Sequence, residues 1–117
     1  MIGANAAALA GGIDGAQNAT LSATPASDSF IIAARVAVMA TGSASATEGS
    51  GFTEIDDVTR NDYEALHIQT RTGLTITTVP WADVNAGAGV IFENFLMALE
   101  IKAAAGAADV LMPQICL

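Results

Sequence analysis

Residues 30–40, FIIAARVAVMA, constrain the fold more than any other stretch of this chain. At helical spacing their apolar side chains fall all round the axis, whereas at period two they sort into two sides. Phe30, Ile32, Ala34, Val36, Val38 and Ala40 share one face, and Ile31, Ala33, Arg35, Ala37 and Met39 the other. Phe, Ile and Val favour strands, and Pro25 and Gly42 bracket the run. A bilayer helix needs roughly 20 apolar residues, and Arg35 would lie at its most costly depth. The stretch therefore reads as a strand that is apolar on both faces, with one arginine to be accounted for.

Composition makes that two-sided burial harder to satisfy within one small domain. Of 117 residues, 52% are hydrophobic and only 14% charged, against an average charged content of about 25%. So few charges cover a monomer poorly, which points to a homo-oligomer or a larger assembly. The net charge of −8, with four cations in the whole chain, supplies no basic stripe for nucleic acid and no attraction to anionic lipid. A single cysteine, Cys116, excludes an internal disulfide framework. The opening MIGANAAALAGGIDGAQ has neither the basic nor the continuous apolar region of a secretory signal, so folding in the cytoplasm is expected.

Along the chain, residues 1–29 are rich in Ala, Gly, Asn, Ser and Thr and read as an extended N-terminal arm; residues 30–117 read as one compact domain. After the 30–40 strand, residues 41–51 form a loop, and 52–64 carry Glu54, Asp56, Asp57, Asp62 and Glu64. Leu66, Ile68, Thr70 and Thr72 alternate with His67, Gln69 and Arg71. Gly73 then marks a tight hairpin or a bulge, and Pro80 ends the run. In VIFENFLMALEIKAAAG, residues Phe92, Phe95, Leu96, Leu99 and Ala103 share a helical face, and Glu93 and Glu100 align on another. In a strand those two carboxylates would fall on opposite faces. The composition favours helix, Gly106 suits its C-cap, and Glu93 and Lys102 suit its dipole. The expected fold is α+β: an antiparallel sheet or small barrel, one main C-terminal helix over about 90–105, and the arm. The tail DVLMPQICL reads as a short final strand or extended segment.

Chemical motifs are few. His67 is the single histidine, which excludes multi-histidine metal sites. The Gly87-Ala88-Gly89 turn has Phe92 where a dinucleotide fingerprint needs its third glycine. No phosphate-binding G-K-[ST] occurs, and Glu93 and Glu100 on a helix stand too far apart to work as a pair. The acids of 48–64 have the oxygen chemistry calcium prefers without the EF-hand spacing; a solvated acidic loop with Arg60 as internal partner is the plainer reading. No catalytic residue, cofactor or metal is assigned.

A short acidic chain nearly free of Lys, with Thr-rich strands and an Ala/Gly-rich arm, resembles small virion structural proteins, the decoration or cement proteins of tailed-phage capsids. The resemblance implies a non-enzymatic homo-oligomer, possibly a trimer, bound to a larger shell such as a major capsid protein. It places the protein in the virion, assembled in the host cytoplasm, without nucleic-acid or membrane contact. Candidate contact residues are Phe30, Ile32, Arg35 and Met39 on the strand and Phe92, Phe95 and Leu99 on the expected helix. Arg35 should pair with an acid in the core or across a subunit boundary. Two alternatives stand beside this reading: a phage tail or filament subunit, and a small cytoplasmic oligomer with a site between subunits that uses His67, Arg71 and the 48–64 acids.

Overall fold

A computed structural model describes residues 1–11, 15–41, 45–60, 64–84 and 90–103. Among these residues eight strands follow one another: β1 (Ile2–Gly11), β2 (Gln17–Thr20), β3 (Phe30–Thr41), β4 (Thr47–Glu48), β5 (Thr53–Arg60), β6 (Glu64–Thr72), β7 (Thr78–Asp83) and β8 (Val90–Ile101). They form a five-stranded sheet in the order β1-β8-β3-β6-β5 and a three-stranded sheet in the order β2-β7-β4. Every pairing is antiparallel. The pairs β1·β8, β2·β7 and β3·β6 nest inside one another, as when a long hairpin is rolled up. This is jelly-roll order with one departure. Strand β5 stays on β6 and forms no ladder with β4, so a seam lies open between those two edges.

The α+β expectation is corrected to all-β: among the described residues there is no helix, and residues 90–101, expected as the main helix, are β8. Strand β8 lies between β1 and β3 and completes hydrogen-bond ladders on both sides. Two ladders outweigh the modest helix preference of Leu, Met, Ala and Glu, which spans well under about 1 kcal/mol per residue. The two carboxylates do fall on opposite faces. Glu93 is exposed, while Glu100 is buried and fully engaged. The capping role given to Gly106, the tail and Cys116 lie outside the described residues.

Four other local readings change. Gly73 makes neither a hairpin nor a bulge. With φ of 69°, it lets the chain leave β6 in the large sheet for β7 in the small one, and its N–H donates to Ser29 O. Pro80 does not end a run but sits inside β7, opposite Asn18 of β2; its carbonyl accepts from Gln69 Nε2 at 2.8 Å. Residues 2–11 of the expected arm form the edge strand beside β8 in this same chain. Residues 47–48 of the expected 41–51 loop form β4.

The core lies between the sheets. Ile31, Leu74, Val79, Trp81, Val84 and Leu96 are fully buried there, with Leu21, Phe52 and small alanines filling round them. The alternation in β3 resolves with Ile31, Ala33, Arg35, Ala37 and Met39 inward.

Candidate functional site

The inner face of the large sheet is unusually polar for a core. Its register sets Leu96, Arg35, His67 and Asp57 in one row across β8, β3, β6 and β5, with Ala98, Ala33, Gln69 and Glu54 in the next. Arg35 is fully buried, and Ala33 and Ala37 on either side leave room for its long side chain. Its Nε donates to Asn94 Oδ1 at 2.8 Å, and its Nη2 donates to Val84 O beyond the end of β7. Burial pushes its pKa down from the usual value, and the charges of Asp57 and Asp83 push it back up. The acids therefore act through their field, while the direct partners are an amide and a carbonyl. Arg35 ties the two sheets together inside one chain. Met39 is buried on the same face.

Gln69 and His67 make the same kind of bridge. Gln69 accepts from Gly49 N at 2.8 Å and donates to Pro80 O. His67 is fully buried, and its Nδ1 accepts from Trp81 Nε1 at 3.2 Å. Indole N–H can only donate, so neutral His67 carries its proton on Nε2, which faces Glu54 Oε2 at 3.4 Å. Glu48 completes a cluster in which ligand atoms of Glu48, Glu54 and His67 lie within 4.8 Å of one another, at the seam between β4 and β5.

By residue type this trio resembles a mixed oxygen–nitrogen metal site, but its hydrogen bonding argues otherwise. A ligating histidine normally offers one bare nitrogen and donates its other N–H to an acceptor. Here the second nitrogen faces a donor. Binding a cation through Nε2 would move the proton to Nδ1 and set it against the Trp81 N–H. The cluster as built is a histidine that accepts from an indole donor through Nδ1 and sets its Nε2 beside a carboxylate without a hydrogen bond to it. Replacing His67 by Phe leaves the Trp81 N–H buried without an acceptor and should cost about 1–3 kcal/mol. Denaturant unfolding measures the loss, and Trp81, the single tryptophan, reports it through a shifted emission maximum.

The remaining acids of 52–64 do not gather round this cluster. In β5 the alternation and a register shift between Glu54 and Asp56 divide them. Asp57 points inward and accepts from Ala46 N at 3.1 Å, while Asp56 pairs in register with Ile68 on the other side. Asp62 lies outside the described residues. Arg71 stands apart from His67. It donates to Ser50 O at 2.9 Å and lies over the Phe52 ring, holding the β4–β5 turn.

The outer face of the large sheet is the opposite in character. Register rows run Phe95–Val36–Leu66–Val58, then Met97–Ala34–Ile68, then Leu99–Ile32–Thr70, and at the end Ile101–Phe30–Thr72. Phe30, Leu66 and Phe95 are 37–41% exposed and Met97 45%, although flanking strands shield each of them laterally. Four of the seven candidate contact residues, Phe30, Ile32, Phe95 and Leu99, lie on this one surface. Arg35 and Met39 lie on the inner face, and the Phe92 side chain is outside the described residues. Val36, Leu66, Ile68 and Met97 share the surface and are not among the candidate contact residues. The signal for them was the two-sided apolar character of 30–40 continued through Leu66 and Ile68.

The fold and these two faces define an all-β sandwich with a polar interior and an apolar outer sheet face. No known family matches this chain, and no curated protein or solved structure matches it.

Proposed function

We propose that this protein is a non-enzymatic assembly protein, of the kind that decorates or cements a virion shell, and that it buries the outer face of the large sheet when it assembles. The observation that carries the reading is that face, an apolar surface across strands β8, β3, β6 and β5 with its charges confined to the margin. Monomers rarely expose a contiguous apolar patch beyond a few hundred Å². Jelly-roll order agrees with it, since capsid and lectin domains share that architecture. The composition, acidic and nearly without lysine, agrees as well.

The test is co-expression with the products of the genes flanking its own, followed by gradient sedimentation. The chain is expected to travel with a particle, and Leu66→Lys, which sets a charge in the face, should return it to the top of the gradient. A wild-type chain that stays at the top with every flanking product overturns the proposal.

A further inference from the structure

The apolar face needs an occupant, and its dimensions and edges point to one. Its four strands, spaced about 4.8 Å apart, make it roughly 19 Å wide. The nine residues from Phe30 to Val38, at about 3.3 Å each, make it roughly 30 Å long. Covering it removes about 570 Å² from each partner, or about 1,140 Å² in all, above the roughly 1,000 Å² that a specific interface should clear. Residues 104–117, laid across it in extended form, would cover a strip one strand wide and leave most of it open.

The pattern on the face is that of an interface core with a polar rim. The central rows carry apolar side chains of β8, β3 and β6, bounded by Asp56 on β5 and Asn5 on β1. One end row holds Glu93, Val38, Glu64 and Arg60, and the other end row is uncharged. From these features we infer that the occupant is a second copy of the chain, packed face to face about a two-fold axis that runs across the strands. This inference rests on the assembly reading and names its partner.

That axis puts the charged end row of each copy over the uncharged end of the other, so like charges do not meet. Aligned sheets pack about 10 Å apart with their strands about 30° from parallel, which lets Val36, Leu66, Met97 and Phe95 of both copies interdigitate. The contact is isologous and closes at two chains. With −8 on each copy and few of those charges on the face, the copies repel at long range and attract at contact. Added salt should therefore strengthen the dimer, because it screens the repulsion and leaves the apolar contact intact.

Sedimentation equilibrium of the purified full chain, at low and high salt and across a wide concentration range, tests this. The expected result is the mass of two chains, held at least as tightly in high salt. Met97→Lys should weaken association by about 100-fold or more, since each dimer would bury two unpaired charges. Ile76→Lys, an exposed apolar position in the β6–β7 connection, should leave it unchanged. Circular dichroism and thermal melting confirm that both variants fold; if Met97→Lys does not, Val58→Lys at the edge of the face takes its place with the same expectation. A wild-type monomer at all concentrations, a mass of three chains, association that salt weakens, or a face that binds apolar dye only after residues 104–117 are removed would each overturn the second copy as occupant. None of these depends on whether the chain travels with a particle, so the two proposals fail separately.

Discussion

Arg35→Ala should cost the protein about 3–5 kcal/mol of folding stability, the range for breaking a buried charged network, while Arg60→Ala should stay within about 0.5 kcal/mol. Arg35 is fully buried between Ala33 and Ala37, and two methyl side chains cannot collapse into the space a guanidinium vacates. Its removal also strands Asn94 Oδ1 and Val84 O and leaves Asp57 and Asp83 without the charge that their field favours. One term opposes these losses, because deleting a buried charge relieves its desolvation. Arg35→Met separates the terms by keeping most of the volume and discarding the charge and its bonds. It should recover more than half of the alanine loss, since cavity formation is the larger part. Arg60 is exposed at the end of β5, where a cation contributes little. Urea unfolding of the three variants decides the matter. Equal losses for Arg35→Ala and Arg60→Ala would mean that Arg35 does not hold the sheets together.

The position of Arg35 was legible in the sequence only in part. Period two in 30–40 identified the strand and sorted its two faces correctly, because β-branched residues with a single charge have few other readings. It did not identify which face is inside. In most sandwiches the apolar face is buried. Here β3, β6 and β8 turn Arg35, His67, Gln69, Asn94 and Glu100 inward and leave Phe30, Leu66, Phe95 and Met97 toward solvent.

That inversion also explains the error over 90–105. A strand with polar residues inside and apolar residues outside, and with Ala98 between them, gives no clean alternation, and a helical grouping of Phe92, Phe95, Leu96 and Leu99 looks as good. What settles β8 as a strand is its pair of neighbours, β1 and β3, and pairing across such separations leaves no local trace. The cluster at His67 was legible only as residue types, His67 with Arg71 and the acids of 48–64, of which Glu48 and Glu54 reach it and Arg71 does not. Residues 48, 54 and 67 come together only because the β4–β5 turn, held by Gly49, Gly51 and Arg71, brings both acids over β6.

Glu100, expected on a helix, is a buried carboxylate of β8, and replacing it should have the second largest effect. Ser29 Oγ donates to its Oε1 at 2.6 Å and Ala26 N at 2.9 Å, while Ala4 N donates to its Oε2 at 2.7 Å. One carboxylate thereby fastens β1 and the β2–β3 connection to β8. Gly3 permits the approach, since any side chain there would collide with the Glu100 carboxylate. The Ser29 hydroxyl, then the Ala4 and Ala26 amides, with a smaller contribution from Lys102, hold the pKa down from 4.5 to about 2 against the effect of burial. Because the folded value is the lower one, the unfolded chain takes up the proton first. The stabilisation is complete above about pH 4.5 and drains away as pH falls toward about 2. Glu100→Gln puts an amide N–H among three donors, so at neutral pH it should lower the melting temperature by several degrees and quicken hydrogen exchange along residues 2–11. Between pH 4.5 and 2 the variant should lose less stability than the wild type, so that the two melting curves converge. Parallel curves over that interval would show that the Glu100 charge does not hold β1 in the sheet.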